Sequence, residues 1–239
     1  MIYIRSFLFN AGFYAWTAIC ALMGLLTIPL PLRMAFFPQT LWAKGTTFLL
    51  KVAGIKVEFR GLENIPSTPC LIASKHQSAW DTTVFFSIIP KAAIVAKKEM
   101  LKLPIFGWYM KKLEEIPIDR SAGGGALRVM VRASKVALSK GRYIIIFPEG
   151  TRVNINHKKN FQPGVYALYS MLNVPVVPVA LNSGYFWPRD THIRKPGTMI
   201  LEFLPPISGK MTREDFMKKL EGEMNRATEK LLKEARHNA

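Results

Sequence analysis

The sequence predicts an α/β protein, with a mostly parallel sheet flanked by helices and an N-terminal membrane-associated helical segment. Three observations carry this expectation. Short apolar runs bounded by turn residues alternate with stretches of helical periodicity, as strands joined by crossover helices do. Residues 6–32 hold no charge, with Arg5 before them and Arg33 after. The rest of the 239 residues can bury one core and shows neither an internal repeat nor a low-complexity linker. The expected division is a membrane-associated segment over 1–53 and one globular domain over 54–239.

A bilayer core needs about 20 mostly apolar residues in a helix, so the uncharged run is long enough to span. Pro29 and Pro31 stop a helix near Ile28. A cleaved signal peptide is the competing reading, but its apolar region is about 7–15 residues and ends in a small-residue site. A second apolar stretch, residues 34–50, is interrupted by Pro38, Lys44 and Gly45. Its Phe36, Phe37, Trp42 and Phe48 suit an amphipathic interfacial helix or packing on the globular domain. The segment either spans once or dips in and returns as a hairpin. Arg33, Lys44, Lys51, Lys56 and Arg60 crowd its downstream side, which keeps the main domain cytoplasmic.

Further along, residues 55–59 alternate and end at Gly61, an edge strand. Residues 69–74, 92–96 and 143–147 are buried-strand runs, and 116–118 is a shorter one before a glycine-rich break at 123–125. Residues 126–140 form an amphipathic helix closed by Gly141. A helix over 164–172, strands over 176–181 and 199–204, and a polar helix over 212–234 complete the order.

Composition narrows the function. The chain carries 33 Lys and Arg against 16 Asp and Glu, a net charge of +17, yet its mean hydropathy is +0.13. A partner both anionic and apolar, such as a membrane surface with anionic lipid, fits that combination. A nucleic-acid binder would set stacking aromatics among basic residues on an otherwise soluble chain, and the uncharged N-terminus argues against one. Cys20 and Cys70 are the two cysteines, which excludes a disulfide framework and a multi-cysteine metal site.

The chemistry-bearing residues follow the buried runs. Lys75-His76-Gln77-Ser78-Ala79-Trp80-Asp81 comes first. Histidine accepts a proton near neutral pH, and a carboxylate holds its tautomer. Five positions along a regular helix turn through about 140° and rise about 7.5 Å, so His76 and Asp81 meet only if His76 sits in a turn and Asp81 in the first helical turn. Ser78-x-x-Asp81 also resembles a capping box, which needs no catalysis. Phe147-Pro148-Glu149-Gly150-Thr151-Arg152 comes after the strongest strand. There Arg152 is a cation able to grip phosphate and Gly150 lets backbone approach a ligand, although Pro and Gly also simply end strands. Ile116-Pro117-Ile118-Asp119-Arg120 ends in another arginine, with a surface ion pair as its plain reading. In Val174-Pro175-Val176-Val177-Pro178-Val179 two prolines suggest edge or bulge geometry.

Together, in this order and spacing, the four blocks resemble the glycerolipid acyltransferase family, specifically the bacterial 1-acyl-sn-glycerol-3-phosphate acyltransferases. The resemblance covers about residues 71–181. It implies an acyltransferase domain over 54–239, acting at the inner membrane from the cytoplasmic side. The implied reaction moves a fatty acyl group from acyl-CoA or acyl-ACP to the sn-2 hydroxyl of lysophosphatidic acid, giving phosphatidic acid in phospholipid biosynthesis. His76 is then the general base and Asp81 its orienter, so that no covalent acyl-enzyme, metal or resident cofactor is required. Ser78 lies too near the base in sequence to serve as a nucleophile, and Cys70 falls on a buried strand. Arg120 and Arg152 are similar to the family's phosphate-binding arginines, with Glu149, Gly150 and Thr151 lining the acceptor site. The fourth block is similar to a structural or acyl-side wall.

One departure stands out. Many family members carry Phe-Lys-Lys-Gly after the third block, whereas here the stretch is Phe161-Gln162-Pro163-Gly164, with lysines earlier at Lys158 and Lys159. The acceptor could therefore be another lyso-lipid (lyso-ornithine lipid or lysophosphatidylethanolamine) or glycerol 3-phosphate. Lys97, Lys98, Lys102, Lys111 and Lys112, with residues 102–108 mixing charge and aromatics, suit anionic lipid, an acidic acyl carrier protein or coenzyme A phosphates. A lipid-binding or membrane-shaping protein is the non-enzyme alternative, but binding alone has no use for a base and its orienter.

Overall fold

The computed structural model describes residues 1–119 and 123–237. Helix α1 (Ile2–Thr27) ends at the Pro29-Leu30-Pro31 turn, and α2 (Leu32–Leu49) runs back beside it. Two indoles stitch the antiparallel pair: Trp16 Nε1 donates to the Trp42 carbonyl (3.3 Å) and Trp42 Nε1 to Thr17 Oγ1 (3.0 Å). Gly45 permits the close crossing, since a Cβ there would sit 2.2 Å from the Trp16 ring. The helix continues through Pro38, contrary to the expected interruption. Pro38 forfeits one backbone bond, and packing of Ala35, Phe36, Ala43 and Thr46 holds the turn on either side.

α1 and α2 form a helical hairpin, and the hairpin lies along the protein. Near its start, α1 is tied to the 187–194 loop. The Arg194 amide donates to Ser6 Oγ (2.8 Å), Asn10 Nδ2 donates to the His192 carbonyl (2.8 Å), and Phe9 meets Trp187 edge-on. Near its end, Gly24 faces the Tyr109 ring and Lys112 Nζ donates to the Leu30 carbonyl. α1 is nonetheless long and apolar enough to cross a membrane, and Tyr3, Phe7, Tyr14, Leu22 and Leu26 point outward. The α2 aromatics divide between the two expected roles. Phe36 is buried, while Phe37 and Phe48 are exposed.

Seven strands form one sheet: β1 (Ile55–Arg60), β2 (Leu71–Ser74), β3 (Ala93–Lys97), β4 (Ile116–Ile118), β5 (Ile144–Ile146), β6 (Val176–Leu181) and β7 (Gly197–Phe203). Their order is β1-β7-β6-β2-β5-β3-β4. All neighbours are parallel except β6 and β7, so β1 and β7 form a reversed edge on a five-stranded parallel sheet. The connecting helices are α3 (Trp80–Ile88), α4 (Phe106–Lys112), α5 (Gly123–Ser139), α6 (Gly164–Leu172), α7 (Ser183–Phe186) and α8 (Arg213–His237). The two sheet faces are both covered, which is why β2 and β5 read as unbroken apolar runs. Along β2 the side chains alternate. Ile72 packs with Trp80, Phe85 and Leu50, whereas Leu71 and Ala73 pack with Met130, Val165 and Phe216.

Two expectations are corrected here. Gly123–Gly125 is no break but the first turn of α5. Pro178, expected at an edge or bulge, lies in the interior strand β6, buried at every position. β6 turns its odd residues toward β2: the Leu71 amide donates to Pro175 and the Lys75 amide to Val179. Pro178 faces the other way, where its carbonyl accepts from Leu204 N. On that side the pairing passes from Val179↔Phe203 to Val176↔Ile207, three steps against four, so the neighbour carries a one-residue bulge. The bulge half of the reading holds, and it places the missing N–H where no ladder bond is demanded.

Candidate active site

β2, β5 and β6 are neighbouring parallel strands, so their carboxyl ends bring three loops together. Residues 75–79 stay non-helical and α3 begins at Trp80, so Asp81 falls in its first turn while His76 remains in the loop. The pair therefore meets, with His76 Nδ1 3.2 Å from Asp81 Oδ2. The same Oδ2 accepts from the amides of Gln77 (2.5 Å) and Ser78 (2.7 Å), and Oδ1 accepts from the hydroxyls of Ser78 (2.8 Å) and Ser183 (2.5 Å). Asp81 is fully buried. A carboxylate accepting all of these leaves His76 Nδ1 as a donor and Nε2 with its lone pair free. The capping geometry is present too, as Ser78 Oγ accepts from the Trp80 amide (3.2 Å). Capping and the His–Asp pair are thus one arrangement.

Glu149 ties this loop to its neighbour. Its Oε2 accepts from the His76 amide (2.8 Å) and its Oε1 pairs with Lys75 Nζ (2.6 Å), in a site where both side chains are buried. Burial pushes the Glu149 carboxyl above its usual range, against the opposing pull of Lys75 and the His76 amide. Lys75 Nζ also donates to Asn225 Oδ1 (3.0 Å) and lies over the Phe161 ring. His76 stacks on Phe147 (4.3 Å between centroids), which fixes the ring plane. Gly150 turns the chain with φ +74, a left-handed conformation that glycine adopts without strain.

His76 borders an apolar cavity of about 1090 Å³. α1 and α2 roof it with Thr17, Cys20, Gln39 and Trp42, and Phe86, Ile94, Met110 and Leu127 line the inside. Gly150, Thr151 and the exposed Arg152 stand on the same wall. Ligand pockets commonly measure about 300–1,000 Å³, so this one has room for a long chain. Glu115 also borders it, fully inside the protein. Its Oε2 accepts from the Ile94 amide, its Oε1 has no partner among the described residues, and burial pushes its carboxyl up to about 8. The nearby Arg142 guanidinium is spent on the carbonyls of Lys91, Ala92 and Glu114.

The structure thus gathers His76, Asp81, Glu149, Gly150, Thr151 and Arg152, while Arg120 lies outside the described residues. Lys158 reaches away to Glu229 of α8 (3.3 Å) with both side chains well exposed, the solvated basic turn. Gln162, Pro163 and Gly164 border the cavity, and the lysine on its described lining is Lys97 of β3 rather than one from this stretch. Ser78 is occupied by Asp81, and burial pushes the Cys70 thiol up to about 12, so neither is an activated nucleophile. Sequence reasoning missed Lys75, whose adjacency to His76 was its one signal, and Ser183, 102 positions from its partner.

The acyltransferase family model matches residues 56–182. The chain is 37% identical over 201 residues to the 1-acyl-sn-glycerol-3-phosphate acyltransferase of Pseudomonas aeruginosa, a match covering 82% of this chain and 77% of that protein. It is 30% identical over 159 residues to the mouse 1-acyl-sn-glycerol-3-phosphate acyltransferase alpha, covering 65% of this chain and 56% of that longer protein. In fold it is similar to the crystal structure of the 1-acyl-sn-glycerophosphate acyltransferase of Thermotoga maritima, with a TM-score of 0.79, 24% identity, and coverage of 97% and 98% of the two chains. By the family model and the extent of the Pseudomonas match, this chain belongs to the acyltransferase family.

Proposed function

We propose that this chain transfers a fatty acyl group from acyl-CoA or acyl-ACP to the sn-2 hydroxyl of lysophosphatidic acid, forming phosphatidic acid. The names of its relatives support the reaction. The observation that carries it is His76, backed by Asp81, on the wall of a large apolar cavity. Nε2 takes the acceptor's hydroxyl proton as that oxygen attacks the thioester carbonyl. The C–S bond then breaks, and the imidazolium returns the proton to the departing thiolate. Asp81 steadies the imidazolium between these steps. The acyl chain occupies the cavity, Arg152 takes the acceptor phosphate with Arg120, and Gly150 and Thr151 border the acceptor. Glu149, expected to line the acceptor site, instead lies buried off the cavity lining, where it holds Lys75 and the His76 amide. Residues 1–53 are the membrane-associated segment and 54–239 the acyltransferase domain. The outward face of α1, together with exposed Leu103, Phe106 and Trp108, lies in the lipid interface at the cytoplasmic side of the inner membrane. Its basic surroundings favour anionic lipid.

The test is a detergent-solubilised assay offering labelled acyl-CoA or acyl-ACP with a panel of lyso-acceptors. Phosphatidic acid should form with the wild type, and His76→Ala should lower turnover by about 10²–10⁴-fold with folding intact. Substantial activity in a folded His76→Ala protein would remove the base assignment. Product from lysophosphatidylethanolamine or a lyso-ornithine lipid alone would change the acceptor.

A further inference from the structure

A second cavity, of about 330 Å³, adjoins the first, and Ala79, Arg152 and Arg189 border both. Its basic side chains are Arg152, Arg189, Arg194 and His192, against a single carboxylate, Asp190. Asp190 and Arg189 are each more than half exposed and only 3.9 Å apart, a loose contact that leaves the arginine free to engage a ligand. Arg194 is the unusual member. It is 5% exposed, with Trp187 against its face, and it donates to the carbonyls of Thr191 (2.8 Å) and Ile193 (3.2 Å) and to Asn10 Oδ1 (2.9 Å). All three partners are neutral, and its buried Nε has none. Among the described residues no carboxylate pairs with Arg194 or Arg152. Burial pulls the Arg194 guanidinium down to about 10, the mark of a desolvated cation lacking a counter-charge. Such a charge is costly unless an anion faces it.

We propose that this second cavity is a phosphate-ester subsite continuous with the reaction site, in which Arg189 grips the phosphate beside Arg152 and Arg194 supplies a fixed positive field. The proposal rests on the acyl-transfer reading above. Neither Arg189 nor Arg194 falls in any of the four sequence blocks. The planar guanidinium of Arg189 suits two parallel hydrogen bonds to one phosphate. The same chemistry is offered by the acceptor's phosphate monoester and by the phosphates of a coenzyme A donor.

Initial rates of the full-length protein in detergent, with each substrate varied in turn, separate these sources. Arg189→Ala removes a side chain that is half in solvent and leaves the α1 anchor at Arg194 untouched. The KM for one substrate should rise at least tenfold, about 1.4 kcal/mol, with kcat within twofold and partial recovery in Arg189→Lys. A rise for lysophosphatidic acid places the acceptor's phosphate in the cavity, and a rise for acyl-CoA places the donor's. Both KM values within twofold of wild type would overturn the subsite. A wild type inactive with every acceptor would instead sink the acyl-transfer reading. A ³¹P NMR titration of inorganic phosphate then tests the cavity directly, and equal binding by wild type and Arg189→Ala would overturn it.

Discussion

Replacing Glu115 by glutamine should make the protein more stable at neutral and alkaline pH while leaving its acid stability unchanged. The ordinary carboxyl value is 4.5, and burial raises the folded one to about 8 in spite of the Ile94 amide and the Arg142 guanidinium. Below pH 4.5 the folded and unfolded states both hold the proton, and the site costs nothing. Between 4.5 and 8 the unfolded chain releases the proton and the folded chain keeps it. Each pH unit in that window therefore removes about 1.4 kcal/mol of folding stability. The accumulated loss is roughly 3 kcal/mol at pH 7 and about 4–5 kcal/mol by pH 9. Glutamine cannot ionise, keeps an oxygen for the Ile94 amide, and leaves its second polar group as unpartnered as Oε1 is now. Urea unfolding of the two proteins in the same detergent at pH 4.5, 7 and 9 reads the effect. The gap between the curves should open with pH in the variant's favour. A gap that is constant, or that widens toward acid, would refute the assignment of a protonated buried carboxyl.

Two further outcomes follow from the site and its roof. Ser183→Ala removes one of the donors to Asp81 and should lower kcat about tenfold, the worth of a hydrogen bond to a charged group, without moving the acceptor's KM beyond twofold. An unchanged kcat in steady-state assays would show that Ser183 does not help orient the imidazole. Deleting residues 1–53 takes Phe9, Leu50 and Ala53 from the main core and strips the roof of the apolar cavity. The remainder should aggregate and be inactive in a liposome flotation and transfer assay, and a soluble, fully active fragment would contradict that.

Much of this was legible because the sheet is covered on both faces. β2, β5 and β6 had to be continuous apolar runs, and such runs mark their own ends with Ser, Pro and Asn. The His76–Asp81 pair was legible as a condition rather than a result, since the spacing alone forbids contact on one helix and the loop permits it. Pro178 was legible only as edge or bulge, because the bulge that admits it to an interior strand belongs to a neighbour some 25 residues on. Gly123–Gly125 misled because glycine's low helix propensity is overridden by the helix that follows. Lys75 stood in the first block without a role, and only the arrangement of β2 beside β5 reveals Glu149 beneath it. Ser183 carries no local signal at all, as it reaches Asp81 through the adjacency of β6 and β2.

The helices that roof the apolar cavity also turn a mostly apolar face outward, with exposed charge at Arg5, Arg33 and Lys44. Thr17, Cys20 and Trp42 look inward while Tyr14, Leu22 and Phe48 look outward. A fatty chain moving between bilayer and cavity on that side exchanges one oily surrounding for another. Passing through water instead would expose the chain at about 0.8 kcal/mol per methylene, on the order of 12 kcal/mol for a chain of about 15. That is most of the roughly 16 kcal/mol barrier of a step turning over about 10 times per second. On the membrane placement proposed above, seating the roof in lipid removes this toll from delivery and release, so that solubilising conditions which flood the helix pair with water should slow turnover even where His76 and Asp81 stay in register.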